Sequence, residues 1–494
     1  MAFSSVAFLF YFWPLALVLY FASSFSRTTQ NVMLVILGFV FYAWGEPKYW
    51  LLLIATILLN YVLGLLFDLF RAKGPIRTTI YLLGLTLNLG LLLGFKYVPF
   101  LSKTLNSMTS GAVPVVTWLF PIGISFFIFS AISYLSDVYR HTTPAEKNLL
   151  NLSLYFTYFP RILQGPIMRY SEFAPQIKQR QITADKLADG GSRFIIGLAK
   201  KVLIANQMGI VTDRIFELQQ MDSLSMGLAW LGMIAYTLQI YYDFSGYSDM
   251  AIGMSKFFGF DLMENFNYPY VSKSIAEFWR RWHISLGDWF KHYLYFPLGG
   301  SRMKNQDLVL RNLAIVWLAT GLWHGANWTF LVWGIWNFLF IALERIIDYE
   351  NRKVTRGVRH VYTMLVVMFG WVIFRSDTLT GAGHYLQTLL NPFQGHLIDS
   401  YMWLFLREYG IFFLLGIVFC MPVAKKVTTW LSEGITIRQR ISRKGAVSDH
   451  RLVERVYFSK LFTVLYPVVM VTLFALSVLY ILKGTYTNFI YFQF

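Results

Sequence analysis

Apolar runs of about twenty residues recur along this chain, each bounded by basic or turn-forming stretches. A helix rises about 1.5 Å per residue, so about 20 apolar residues cross a hydrocarbon layer of about 30 Å. In that layer no water bonds the backbone, which leaves helices or closed barrels as the possible folds. The runs lie at 3–22, 31–45, 49–70, 78–97, 118–137, 193–213, 225–245, 361–375, 402–424 and 461–483. The expectation is an all-α polytopic membrane protein, one integral membrane domain over 1–494 with about ten spans. Met1 to Phe21 has no basic n-region and no small-residue cleavage site, so it reads as a retained first span rather than a signal peptide.

Charge sets the orientation. The net charge is +17, yet only 14% of residues are charged, against about 25% in soluble domains. This is not the footprint of a nucleic-acid binder. Most of the 43 Lys and Arg residues fall in alternate connections. These are the segments around Arg27 and Arg71–Arg77, then 138–200, 246–311, 345–360 and 425–460. Basic connections stay cytoplasmic, which puts both termini outside the cytoplasm. The single cysteine, Cys420, excludes a disulfide framework, a cysteine-ligated zinc site and a thioredoxin-type motif.

One apolar segment does not alternate. Residues 312–344 have basic segments on both sides, so they enter the membrane and return. The first limb, 312–322, reaches only about 16 Å at helical rise. His324 is the tip, in Gly321-Leu-Trp-His-Gly-Ala-Asn327. Irregular backbone at such depth is tolerated where protein buries it or a water-filled cavity lines it. Just upstream, 275–286 reads as one amphipathic helix that lies at the cytoplasmic interface or dips into the protein. Ile275, Phe278, Trp279, Trp282 and Leu286 share a face, and Ser274 with Glu277 forms a capping box. Residues 246–360 therefore form the candidate catalytic core.

His324 has no second histidine or carboxylate at metal-ligand spacing, so no metal is expected. Two readings stand for it: a neutral general base, or a core histidine donating to a backbone carbonyl. His283 reads as an interfacial histidine beside Arg280 and Arg281, which are solvated charges or phosphate contacts. Asp243, in Asp243-Phe-Ser-Gly-Tyr-Ser-Asp249, ends a span and pairs with an arginine of the next helix or orients a histidine. Ser245 lacks the nucleophile-elbow pattern. Gly299-Gly-Ser-Arg302 and Gly190-Gly-Ser-Arg193 share a tetrapeptide, but neither is a P-loop.

Longer motifs carry a resemblance. Phe278-Trp-Arg-Arg-Trp-His-Ile-Ser-Leu286, Tyr293-Leu-Tyr, Pro297-Leu-Gly-Gly and Gly321-Leu-Trp-His-Gly-Ala-Asn327 come in that order. Pro121-Ile-Gly-Ile-Ser-Phe126, Gln164-Gly-Pro-Ile-Met-Arg169 and the terminal Tyr491-Phe-Gln-Phe494 accompany them. Together they resemble the membrane-bound O-acyltransferase (MBOAT) family, in its alginate O-acetylation branch of bacterial polysaccharide acetyltransferases. The resemblance implies a helical bundle around a central tunnel, with a re-entrant hairpin and interfacial helices. It implies His324 as the catalytic residue and His283 as a second catalytic position. Arg280, Arg281, Trp323, Asn327 and Asp243 are the candidates for donor contacts.

It further implies acetyl-CoA as acyl donor, no cofactor, and a bacterial inner-membrane location. The acetyl group would pass to an extracytoplasmic SGNH-type partner and from it to a polysaccharide. One departure stands out: Lys291-His292 occupies the place where close relatives carry Arg-Asp. The rival from another class is a transporter or channel, because an intramembrane histidine in a broken segment also suits an ion path. The residues do not select among alginate, cellulose and cell-wall polymers as acceptor.

Overall fold

The computed structural model describes residues 1–220, 224–303, 305–391, 399–431, 450–484 and 489–490, with backbone alone at 220 and 450–461. The Tyr491-Phe-Gln-Phe494 motif and most of the basic segment 425–460 lie outside the described residues. Among the described residues all regular structure is helical. The order is α1 Trp13–Ala22, α2 Arg27–Gly45, α3 Trp50–Leu69, α4 Gly74–Met108, α5 Ile124–Tyr139, α6 Leu149–Thr157, α7 Phe159–Ile162, α8 Tyr170–Lys178, α9 Ala184–Ala199 and α10 Asn206–Gln220. There follow α11 Met226–Phe257, α12 Ile275–Arg281, α13 Ile284–Phe290, α14 Gln306–His324, α15 Trp328–Ile346, α16 Arg356–Arg375, α17 Leu379–Leu390, α18 Ser400–Phe419 and α19 His450–Leu482.

Eight of these helical stretches are long and apolar enough to cross a membrane, among the described residues. Seven match expected spans. The eighth, Trp328–Ile346, is the returning limb of the hairpin. The stretch 3–22 yields the shorter apolar helix Phe8–Ala22, and 118–137 yields Ile124–Tyr139, shorter because residues 114–121 have no regular structure. Apolar side chains of α4, α18 and α19 point outward in quantity, Leu82, Leu414 and Val471 among them, as faces bathed in lipid do.

The hub is α11. Its 32 residues are apolar on every side and almost all buried, the pattern of a helix enclosed by others. The sequence reading ended this span at 245; the helix runs on to Phe257. Asp243 and Asp249 do not end it because both are neutralised in place. Lys201 pairs with Asp243, and Lys200 and Arg193 pair with Asp249 at 2.6 Å each. Asp243 thus meets a lysine of the preceding helix, not an arginine of the next.

Two features bring these charges together. The first is glycine. A Cβ on Gly197 would lie 2.6 Å from the Gly246 carbonyl, and one on Gly253 would lie 2.6 Å from that of Gly190. Small residues seven apart on both helices therefore let α9 and α11 approach backbone to backbone. The second is a π-helical segment, Lys200–Ala205, between α9 and α10. Adjacent residues of an ordinary helix point about 100° apart; the wider turn aims both lysines at α11.

The re-entrant segment also differs from expectation. Its first limb is α14, 19 residues rather than 11, which at helical rise is about 28 Å. Residues 306–311, a mixed polar and apolar stretch, extend the helix because Asn305 caps it and Asn312 bonds the Leu298 carbonyl at 3.0 Å. The limbs run antiparallel and touch at Gly321 and Gly334. A Cβ on Gly321 would lie 2.6 Å from the Phe330 carbonyl, and one on Gly334 would lie 2.6 Å from that of Trp317. Gly321→Val should therefore splay the tip and cost about 1–3 kcal/mol, read as a lowered thermal midpoint in detergent. An unchanged midpoint would contradict the close contact.

Candidate active site

The stretch 275–286 is not one helix. It breaks at His283, whose φ of +46° is left-handed, a conformation that His and Asn tolerate better than most residues. Chain from the Asn265 region holds the break open. The Asn267 amide donates to the Arg281 carbonyl and the Ile284 amide to the Asn265 carbonyl, both at 2.9 Å. The Ser274 cap is present, with Glu277 N donating to its Oγ at 3.0 Å. The return bond of the capping box lands one residue early, Lys273 N donating to Glu277 at 2.9 Å.

The broken helix is a second re-entrant hairpin. Glu344, at the end of α15, accepts from the amides of Ile275 and Ala276 at 2.7 and 3.1 Å. From there α12 climbs along α15 and α16. Trp279 packs on Trp317 and Trp333, with its Nε1–H bonded to Asn337 at 3.0 Å, and Trp282 meets Trp371. Past His283 the chain descends along α5, with Trp289 stacked on Phe129 at 3.8 Å and Tyr293 bonded to Asp137 at 2.8 Å. Of the two placements expected for 275–286, at the interface or dipping into the protein, the second is the one found.

His283 and His324 therefore sit at the tips of two hairpins that enter from the same end. Trp323 lies between them, its ring 6.0 Å from His283 and 4.8 Å from His324. Trp333 and Phe374 complete the wall of His324 at 5.0 and 5.1 Å. Both histidines are buried, 2% and 4% exposed, so water does not compete for their protons.

Asn265 accepts from His283 Nδ1 at 3.0 Å, from the Ser285 amide at 3.2 Å and from Ser285 Oγ at 2.9 Å. A backbone amide can only donate, which identifies the accepting Asn265 atom as oxygen. His283 Nε2 is buried with no hydrogen-bond partner among the described residues, as is Trp323 Nε1. Such an orphaned group costs about 1–3 kcal/mol, and sites where substrates bind are where such a cost is expected.

The far end of the α14–α15 hairpin is fixed from α4. Lys96, buried, donates to the Trp323 carbonyl, and Tyr97 Oη donates to that of Leu322 at 2.5 Å. Both satisfy end carbonyls of α14, and the ammonium suits the negative end of the helix dipole.

Beyond the tip lies a cavity of about 590 Å³, lined by Gly325, Ala326, Asn327, Lys96, Gln164, Gln239 and the paired Asp213 and Arg375. Besides the hairpin tip, its lining comes from α4, α5, α10, α11 and α16.

The sequence candidates divide into four groups. His283, His324 and Trp323 come together. Asn327 caps α15, bonds the Asp377 carbonyl at 2.8 Å and lines the cavity. Arg280 and Arg281 stand apart, paired with Glu350 and Glu277 at 3.1 and 2.9 Å. Asp243 is spent on Lys201 and the Ile490 amide. Sequence reasoning missed Asn265 and Lys96. A lysine inside an apolar run, as in Gly94-Phe-Lys-Tyr97, was the available signal for the second. His292, at the departure, bonds the Asp288 carbonyl at 2.9 Å and packs on Phe296, away from both tips. Among the described residues no three His, Cys, Asp or Glu side chains cluster as around a metal ion.

Comparison with known proteins gives a family match. The model of the membrane-bound O-acyltransferase family matches residues 77–378. A protein of Pseudomonas syringae pv. tomato named "Probable alginate O-acetylase" is 44% identical over 388 residues, 78% of this chain and 74% of that protein. Its namesake in Azotobacter vinelandii is 44% identical over 384 residues, 77% of this chain and 76% of that protein. A peptidoglycan O-acetyltransferase of Helicobacter pylori is 34% identical over 414 residues, 77% and 78%.

Proposed function

The chain belongs to the membrane-bound O-acyltransferase family and is a multi-pass membrane O-acyltransferase; from that premise we propose that it moves acetyl groups across a bacterial inner membrane. The donor is acetyl-CoA on the cytoplasmic side. The receiver is an extracytoplasmic SGNH-type partner, which hands the acetyl group to a polysaccharide of the alginate or cell-wall kind. Both termini lie outside the cytoplasm.

One observation carries this reading: two buried histidines at hairpin tips, with the cavity beginning at Gly325, the residue after His324. A donor from one side and an acceptor from the other would meet at the tip. There His324 takes the proton of the acceptor hydroxyl as its oxygen attacks the thioester carbonyl. The C–S bond breaks as the tetrahedral intermediate collapses, and the proton passes from His324 to the CoA thiolate. General-base help is worth about 10²–10⁴-fold. Holding both reactants in line adds up to about 7–11 kcal/mol. Lys96 and Tyr97 contribute by holding the end of α14, so the imidazole meets its substrate in one place.

The test uses sealed vesicles with the cytoplasmic face outward. Acetyl-labelled acetyl-CoA supplied outside should deliver label to luminal partner or polymer only when this protein is present. Label that arrives only from acetyl-CoA trapped inside would reverse the assigned direction and end the reading.

A further inference from the structure

The hydrogen bonds of Asn265 decide what His283 can bind. Asn265 is fully buried and fixed on both sides of its amide. Its Nδ2 donates to Ser248 Oγ at 3.1 Å, and its Oδ1 receives the Ser285 amide. Facing an oxygen at 3.0 Å, Nδ1 of a neutral His283 must carry the ring proton. Nε2 is then a bare lone pair, and it is the ring nitrogen with no partner among the described residues. A group of this kind cannot hydrogen-bond a carbonyl or a thioether sulfur. It can only accept.

We propose that Asn265 is a positioning residue that holds His283 as the Nδ1–H tautomer, so that Nε2 accepts the amide N–H of the thioester arm nearest the sulfur. This rests on the acetyl-CoA reading above. The reacting hydroxyl has one proton and gives it to His324. The thioester carbonyl and sulfur have none. The nearest donor left is the amide N–H two carbons from the sulfur in a pantetheine arm. Position agrees, because His283 tops the hairpin that α12 and α13 raise from the end of the bundle opposite the cavity. The two histidines then divide the work: His283 registers the donor, and His324 moves the proton.

The discriminating probe is a pair of small acetyl thioesters. S-acetyl-N-acetylcysteamine keeps the amide N–H; S,O-diacetyl-mercaptoethanol replaces it with an ester oxygen. Thiol release by the purified full-length protein, supplied with its extracytoplasmic partner as acceptor hydroxyl, is followed for both and for acetyl-CoA. Wild type should prefer the amide by roughly 10- to 100-fold in kcat/KM. Asn265→Ala should reduce that preference to about twofold or less, whatever its remaining rate. Asn265→Asp, whose carboxylate can accept the same bonds, should retain the preference. A merely structural role would lower both rates together and leave their ratio intact.

An unchanged ratio in a folded Asn265→Ala protein overturns the assignment, as does equal use of both thioesters by wild type. If wild type releases no thiol from acetyl-CoA, the donor reading falls and this inference with it. If acetyl-CoA is used but the ratio does not respond to Asn265, only the inference falls.

Discussion

His324→Ala lowers acetyl transfer by about 10²–10⁴-fold while the protein still folds. The size follows from what is removed. The imidazole is the buried proton acceptor at the hairpin tip, and neither neighbouring ring, Trp323 nor Trp333, can accept a proton in its place. Lys96 is turned to the Trp323 carbonyl, to which it donates. Alanine also leaves a hole between Trp323, Trp333 and Phe374, so some stability is lost with the chemistry. His324→Asn, which fills most of that space without a basic nitrogen, separates the two effects. It should match alanine in rate and approach wild type in thermal midpoint. The rate is read as labelled acetyl on the acceptor per unit of monodisperse protein. A folded alanine variant working at the wild-type rate would remove His324 from the mechanism.

Lys201→Met has the largest expected effect on stability. Lys201 and Asp243 are 1% and 3% exposed, so removing the ammonium strands a carboxylate inside the bundle. Breaking such a pair costs about 3–5 kcal/mol, whereas replacing both members by apolar groups is often near neutral. The double variant Lys201→Met/Asp243→Leu should therefore be more stable than Lys201→Met. Recovery should be incomplete, because Asp243 also accepts the Ile490 amide at 2.8 Å. That amide would be left without its partner, at about 1–3 kcal/mol. Thermal unfolding in detergent, followed by tryptophan fluorescence, ranks the three proteins. A double variant no better than the single would show that the pair is not what holds α11 to the Lys200–Ala205 segment.

What could be read from the sequence follows physical range. Span positions were legible because a 20-residue apolar run is a local signal, and seven expected spans reappear as long apolar helices. The continuation of α11 past Asp243 was not. A carboxylate in a helix looks like an exit until its lysine is known, and that lysine lies 42 residues away. The kink at His283 was hidden for the same reason. The apolar spacing of Ile275 to Leu286 is helical, and the bonds that break it come from Asn265 and Asn267, on a separate strand of chain. His324 stood out as a polar residue in an apolar run; its support from Lys96 spans 227 positions. Arg280 and Arg281 were drawn into the candidate site by adjacency, yet a helix turns neighbours of a buried face toward its surface.

The left-handed backbone at His283 has a consequence for how that residue can be interrogated and how freely it can vary. Few side chains accept a φ of +46°, and asparagine, histidine and glycine are among them. Variation at 283 is thus filtered by conformation before chemistry is considered, and a polar residue there is partly a requirement of the bend. Alanine at 283 would lose the imidazole and also strain the turn, by about 1–2 kcal/mol. Glycine is the cleaner deletion, because it removes the ring and leaves the bend at ease.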